Sequence, residues 1–472
     1  MPFPAARIAP FALLALAALE PGAALAVPGS DGLLDPTFSS DGRQMVGFAH
    51  PPDNSDFAHA VAAQADGALV LAGESYSGSE TFASVARLRP SGLLDTSFAG
   101  DGRLSFRFVE DGGQSTARKV LIRPAGSGGG IFVVGDHWDG EVGSEPLFGL
   151  ALLTPDGDFD PAFGASLTPG RIGVGLPGGA LEGITSAALT STGKILVGGY
   201  GFQTGQSDVD GFIARFTEEG ALDGSFSGDG IAWVAVDLGG NDGSRFDALV
   251  VQPDGKIVAI GPVERAGGDV DTAIVRLLSG GALDPAFDGE ANGNGVVIFQ
   301  LTDILGLALD DPENVVVQPD GRILFGGGTL DFEHELLRGF FGRLLPDGAT
   351  DPTLAVELVP EDIAMSSTDT LLELQSDGKI LFTTCGEDDC TVRRYDSGGD
   401  ELDPEFGGDG VVTVAGTVGV PITCSASTLA GGRLVLAGFA SSTDYEFFVA
   451  RLQSELIFSD GFESDSAAEW EE

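Results

Sequence analysis

The stretch VVQPDGKIVAIG, residues 250–261, sets a Gly-Lys pair just after an acidic residue and ahead of an apolar run. That order invites a phosphate-loop reading, in which backbone N–H groups and a lysine cradle a nucleotide. It fails on three counts: Ile257 stands where Ser or Thr is required, the glycine spacing is too short, and a strand-like alternation follows in place of a helix. Pro253 instead presets a turn, Asp254 favours its second position, and Gly255 takes the positive φ that folds two strands back on each other.

The other chemistry-bearing residues are no sharper. His50, His59, His137 and His334 lack metal spacing. HELLR, 334–338, begins like a zinc-protease helix but has Arg338 where the second His is needed. No GxSxG nucleophile elbow occurs. Paired carboxylates for glycoside cleavage need only two nearby acids, which so acidic a chain supplies almost anywhere. DGEANGNG, 288–295, alternates Asp288, Glu290 and Asn292 like a calcium loop, yet Phe299 occupies the bidentate Glu position. With SDVDGF, 207–212, it is the weak calcium candidate, and no other cofactor is expected. His137 and Trp138 in GDHWDG, 135–140, are expected on a face loop, where an aromatic group stacks on a sugar.

Cys385 and Cys390 frame the tetrapeptide GEDD in TTCGEDDCTV. Facing positions of a hairpin lie within disulfide reach, so a Cys385–Cys390 bridge stands beside three free buried thiols, Cys424 included, as the two readings.

Composition bounds the setting. The 472 residues include 71 acidic and 24 basic side chains, a formal charge of −47. Phosphate binding needs clustered Lys and Arg, so the acidity argues against a nucleic-acid partner and against adsorption to anionic membranes. The N-terminal MPFPAARIAPFALLALAALEPGAALAVPG has Arg7, an apolar run from Ile8 to Leu19 and a small-residue Ala-Leu-Ala site. These are the parts of a secretory signal peptide, with cleavage expected after Ala26 and an exported destination: periplasm, cell surface or medium. The apolar run is shorter than the ~20 residues of a spanning helix, and no later segment is a better span.

The elements that must position any site come from an internal repeat. LDPTF at 34–38 returns as LDTSF (94–98), FDPAF (159–163), LDGSF (222–226), LDPAF (283–287), TDPTL (350–354) and LDPEF (402–406). The spacings of 60, 65, 63, 61, 67 and 52 residues define seven units. The opening stretch recurs too, as QADGAL (64–69), QPDGRI (318–323) and QSDGKI (375–380). A glycine closes the following strand in six units, at Gly73, Gly135, Gly199, Gly261, Gly327 and Gly438, with Thr384 the exception.

Each unit reads as four short strands; in the fourth they are 231–236, 246–252, 256–261 and 272–278. Seven four-stranded units of ~60 residues predict an all-β, seven-bladed β-propeller over residues 27–455; a β-solenoid, with shorter and more regular coils, is the competing layout. The first strand, near Arg43–Phe48, is expected to complete the last blade. LDxxF with its DG strand, xPDGKIxxxG and the closing VARLxxxG together resemble the delta-60 repeat β-propeller family of bacterial exported proteins, over about residues 33–452. The resemblance implies a fold and no shared catalytic residues.

Two charged positions recur. The LDxxF aspartate appears as Asp35, Asp95, Asp160, Asp223, Asp284, Asp351 and Asp403; an arginine ends the last strand as Arg87, Arg215, Arg276, Arg343, Arg394 and Arg451, with Leu152 in the second unit. A carboxylate ring around a channel cation is the functional reading. Asp capping its turn while Arg bridges neighbouring strands is the structural reading, and the preferred one. The acidic tail 456–472 breaks the repeat and reads as a frayed terminus or a sorting tag. The expected role is an exported scaffold or binding protein for an extracellular protein or glycan. A carbohydrate-active enzyme using face-loop carboxylates and a Ca²⁺-stabilised surface protein are the alternatives.

Overall fold

The computed structural model describes residues 31–454 apart from 49, 51–54, 125–128, 140–144, 165–168, 207, 288–292, 302–307, 332–335, 360–369, 387, 418 and 442–443. The expected signal peptide, the acidic tail, His334 and the candidate calcium loop at Asp288, Glu290 and Asn292 lie outside the described residues. Among those described, every regular element is a β-strand, and no helix is long and apolar enough to cross a membrane.

After β1 (Arg43–Val46) comes an antiparallel sheet, in chain order, of β2 (Asp56–Ala63), β3 (Leu69–Ser77), β4 (Glu80–Leu88) and β5 (Arg103–Phe106). The pattern repeats in β6 (Gln114–Ile122), β7 (Ile131–Trp138), β8 (Leu147–Leu153) and β9 (Arg171–Val174). It repeats again in β10 (Gly179–Leu189), β11 (Ile195–Gln203), β12 (Val209–Phe216) and β13 (Ile231–Val234). A nine-stranded sheet follows. Its first half is β14 (Gly239–Ser244), β15 (Ala248–Val251), β16 (Ile257–Arg265), β17 (Val270–Leu277) and β18 (Val296–Phe299). The second half is β19 (Ala308–Val317), β20 (Ile323–Asp331), β21 (Leu336–Leu344) and β22 (Glu357–Leu358); a single parallel pair, Val270 with Leu309, joins the halves. The next sheet is β23 (Thr370–Leu374), β24 (Ile380–Cys385), β25 (Asp389–Tyr395) and β26 (Val411–Ala415). In the last, β27 (Ile422–Ala430), β28 (Arg433–Ser441) and β29 (Tyr445–Arg451) take β1 as their fourth strand, with Arg43 opposite Ala450. These strand sets are units one to seven.

One expectation is corrected here. The strand after each DG does not open the following set; Ile231–Val234 pairs with β12 and completes unit three, and Val296–Phe299 completes unit four. The DG turn is too short to carry the chain to the next sheet, so the strand folds back on the one it has just left.

The middle strands read as unbroken apolar runs because both of their faces are covered. LVLAG in β3 and IVAIGPV in β16 are buried throughout, whereas the fourth strands RLSF and VVIF are mostly half-buried. The buried side chains fall into clusters between consecutive sheets. Phe132 and Phe148 of unit two pack with Ile195 and Phe212 of unit three, and Val435 and Phe447 of unit seven pack with Leu69 and Leu71 of unit one. At ~1.5–3 kcal/mol for each large apolar side chain, these between-sheet contacts hold neighbouring units together.

Candidate functional site: a latched face, an open face and the polar strands between them

The recurring charges are all used at one end of the sheets. Arg276 Nε donates to Asp284 Oδ2 at 2.8 Å while the same aspartate caps its own turn, accepting from the Ala286 N–H at 3.0 Å. Equivalent pairs are Arg87–Asp95, Arg215–Asp223, Arg343–Asp351, Arg394–Asp403 and Arg451–Asp35, at 2.7–2.9 Å. Each of these arginines also reaches the next unit. Arg276 donates to the Pro346 carbonyl, Arg343 to Ser397 O at 3.2 Å and Arg451 of unit seven to Pro90 O of unit one at 2.7 Å. Unit two, with Leu152, lacks this pair, and its Arg123 reaches Glu218 of unit three instead.

The lysine of the opening stretch belongs to the same device. Lys256 Nζ lies 3.4 Å from Asp284, as Lys194 does at 2.6 Å from Asp223 and Lys379 at 2.7 Å from Asp403. Hydrogen bonds and cations outweigh the effect of burial and hold Asp35, Asp95, Asp284, Asp403 and Asp351 below the usual carboxylate range, Asp351 at about 2. The LDxxF phenylalanine completes the contact. Phe226 seats against Gly281 of the next unit's turn, where φ is +95° and an added Cβ would lie 3.1 Å from the ring. The same seating recurs from Phe38 against Gly92 to Phe406 against Gly32. The recurring charges therefore form a latch between units.

The closing glycines mark a second feature. A Cβ on Gly73, Gly135, Gly261 or Gly438 would sit 1.9 Å from a carbonyl oxygen of the unit's first strand, and on Gly199 or Gly327 2.1 Å away. That carbonyl is brought close because the first strand bulges, at Ala58/Ala60, Ala117/Lys119, Ile184/Ser186, Pro312/Asn314 and Cys424/Ala426. Unit four breaks its first strand at the same place, between Ser244 and Ala248. Unit six is the exception on both counts: β23 pairs with β24 without a register shift, and its opposing residue is Thr384.

A bulge re-aims one side chain. The residues so placed are His59, Arg118, Thr185, Glu313 and Ser425, with Arg245 and Asp247 at the break. Sequence reasoning missed all of them; the six closing glycines were the available signal.

The small bulge residues tie inner strands together: Ser425 Oγ donates to Ala58 O at 2.6 Å, and Thr185 Oγ1 to Phe246 O. The large ones form polar networks. Glu74 accepts from Thr116 Oγ1 at 2.7 Å and from Tyr76 OH at 3.1 Å, and lies 3.4 Å from His59 Nε2. Burial opposes its ionisation, but these donors and Arg118 draw the carboxyl down to about 2. Arg118 itself donates to Asp136 at 2.8 Å. In the second network Arg245 donates to Asp247 at 2.9 Å and to Asp311 at 2.7 Å. Burial, aided by Asp311 and opposed by Arg245, pushes Asp247 up to about 6.

Arg245 also lines a cavity of about 430 Å³ where units three, four and five meet, with Tyr200, Ser244, Glu264, Val270 and Leu309 among its walls. It opens at the end of the sheets opposite the latch. On that open face Phe57, Phe439 and Tyr445 pack with ring centroids 4.9–5.6 Å apart, and Tyr445 is 38 % exposed. His137 and Trp138 require a correction: they are the last residues of β7 and not a loop. His137 is buried, bonded to Ser115 Oγ at 2.8 Å and to Asp111 at 3.0 Å, so only Trp138, 40 % exposed, is presented to solvent.

Cys385 and Cys390 face each other across β24 and β25 and form a disulfide. Cys424 lies beside them as a free thiol that burial pushes up to about 12. Among the described residues these three sulfurs are the one group of three potential ligands close enough to share a metal ion, and the disulfide occupies two of them.

A profile described as a domain of unknown function (DUF5122) β-propeller matches residues 64–98, 190–226 and 252–287. Each match runs from a PDG-type hairpin to the next LDxxF, which supports a β-propeller repeat family. No curated protein matches the sequence. Among solved structures the chain is similar to the polysaccharide lyase Uly1, with a TM-score of 0.51 at 10 % identity over 87 % of this chain and 91 % of that one. It is similar at lower scores to domains 1–2 of Drosophila Semaphorin 1b (0.44, 9 % identity, 89 % and 87 % covered). The GH43 endo-arabinanase from Bacillus licheniformis scores 0.34, at 9 % identity with 61 % and 92 % covered. At these identities the likeness speaks to the fold alone: all-β and propeller-like.

Proposed function

We propose that this chain is an exported seven-bladed β-propeller whose latched face is structural and whose open face binds a saccharide. Closure into a ring is supported by the Phe38–Gly92 and Phe406–Gly32 seatings and by Arg451 reaching Pro90. The observation that carries the binding reading is the cavity at units three to five. Its size falls in the range of small-ligand sites, and an aromatic ring, Tyr200, shares its wall with a guanidinium held rigid by two carboxylates. An aromatic surface beside fixed donors and acceptors suits a sugar, with its apolar ring face and its hydroxyl edge.

The test is thermal unfolding of residues 27–472 against a panel of glycans, with calcium and chelator arms. A stabilising shift with a saccharide, lost in Tyr200→Ala, is expected. No shift with any glycan would sink the reading, and a shift with calcium alone would favour a structural cation. One observation favours hydrolysis or elimination as a second reading: Asp247, pushed up to about 6, shares Arg245 with a second carboxylate, Asp311. A carboxyl pushed up by burial beside a second acid is an arrangement that general acid–base chemistry on a glycan uses. Product analysis on any glycan that binds separates the two readings.

A further inference from the structure

Unit six carries its disulfide at the open end of β24 and β25, where Cys385 and Cys390 stand directly opposite each other. That bond is complete within one hairpin, yet a third sulfur reaches it from the next unit. Cys424, on the first strand of unit seven, places its carbonyl oxygen 3.7 Å from the Cys385 Sγ, and the three sulfur atoms lie within 4.8 Å of one another. All three side chains are buried, in an apolar cluster with Val392, Val414, Ile422 and Phe448.

Opening the disulfide turns this group into three thiols around one point. A dithiol reductant supplies two electrons and two protons to the Cys385–Cys390 bond and is itself oxidised to a disulfide. Metal–sulfur bonds of ~2.3 Å set sulfur–sulfur separations of about 4 Å, close to the spread the group already has. Thiolate donors select soft ions, Cu(I) and zinc among them. A structural zinc site takes four protein donors, and among the described residues no fourth Cys, His, Asp or Glu joins the group. Cu(I) is satisfied by two or three sulfurs, and the apolar surround suits an ion of single charge.

We propose that the reduced chain holds one Cu(I) ion between Cys385, Cys390 and Cys424, so that reduction exchanges a bond inside unit six for a metal bridge between units six and seven. The site is independent of the saccharide reading. Coordination displaces the thiol protons to solvent. Burial pushes the Cys424 thiol up to about 12, so binding strengthens as pH rises.

The test is titration of the mature chain, residues 27–472, with Cu(I) against a coloured Cu(I) chelator, after reduction, removal of the reductant and exclusion of oxygen. One ion per chain is expected, with a sulfur-to-copper absorption band in the near ultraviolet. Cys424→Ser and Cys424→Ala are each expected to weaken binding by about a hundredfold, the upper end of what losing an outer-shell partner costs. The disulfide-bonded chain is expected to take up none. No binding by the reduced chain, unchanged affinity in both Cys424 variants, or equal binding by the disulfide-bonded chain overturns the site. Should reduction alone unfold the chain, Cu(I) must restore its thermal transition, and failure to do so equally overturns it. Displacement of Cu(I) by equimolar zinc overturns the metal assigned.

Discussion

The two ends of the sheets treat their carboxylates in opposite ways. At the latched end Asp35, Asp95, Asp284, Asp351 and Asp403 gain hydrogen bonds and cations that more than offset burial, and their pKa values fall. At the open end Asp56 and Asp310 are buried with too few donors, and both are pushed up to about 7. Asp210 and Asp271 shift in the same upward direction. Repetition explains the first pattern: one satisfactory solution, copied with the unit, fixes neighbouring sheets. The second pattern falls at two repeated positions, Asp56 with Asp310 on first strands and Asp210 with Asp271 on third strands. Other units carry other residue types there, such as Ser115 and Phe82. Raised carboxyls of this kind mark candidate functional groups.

The sharpest way to break this contrast is to remove a latch arginine. Arg276→Met leaves Asp284 buried with only Lys256 nearby and is expected to cost about 3–5 kcal/mol in denaturant unfolding. Asp160→Ala, in the unit without the arginine, removes a turn cap alone and is expected to cost about 1 kcal/mol. Equal losses would mean that the ion pair is not what matters.

Gly135→Ala comes next. The new methyl would meet the Thr116 carbonyl, and a loss of about 3 kcal/mol is expected from overpacking. Thr384→Gly, opposite an unbulged strand, is expected to cost no more than ~1 kcal/mol of strand propensity. Reducing the Cys385–Cys390 disulfide, which closes a short loop, should lower stability by about 2 kcal/mol, whereas Cys424→Ser with the disulfide intact should leave the reduction-sensitive part of the unfolding curve in place.

The smallest effect is the pH profile. The latch aspartates have folded pKa values below their unfolded ones, so their contribution is complete above about pH 4 and is lost as pH falls toward 2. Asp56 and Asp310 have raised values, so their contribution is complete below about pH 4 and is lost as pH rises through about 7. Thermal midpoints should therefore peak between these limits. Asp310→Asn should change the midpoint little at about pH 4 and raise it progressively from there to about pH 8. A flat profile from pH 5 to 8 in the wild type would contradict the burial of these acids.

Much of the scaffold was legible before the structure. LDxxF, PDGKI and the terminal Arg each announce a turn or a strand end because local backbone chemistry demands those residue types. The candidate site was not legible in the same way. His59, Arg118, Asp247 and Glu313 sit on first strands with no shared residue type, so no pattern in the chain marks them. Their common cause is a bulge, visible in the sequence only as a glycine on the neighbouring strand. Trp138 and His137 illustrate the same limit from the other side: adjacent in the chain, they part company because alternate residues of a strand face opposite ways.

What the sequence determined by itself is the unit: its strands, its turns and the number of times it recurs, all set by interactions within some tens of residues. Tertiary structure alone decided where each DG strand pairs, which carbonyl each latch arginine reaches, and which side chains meet at the cavity. The arginine contacts join residues 54–70 positions apart, and for Arg451 and Asp35 as many as 416, across sheets that local preference cannot bring together. Such contacts arise only once apolar faces of separate units have packed, since the packing fixes the geometry in which a guanidinium finds its carboxylate.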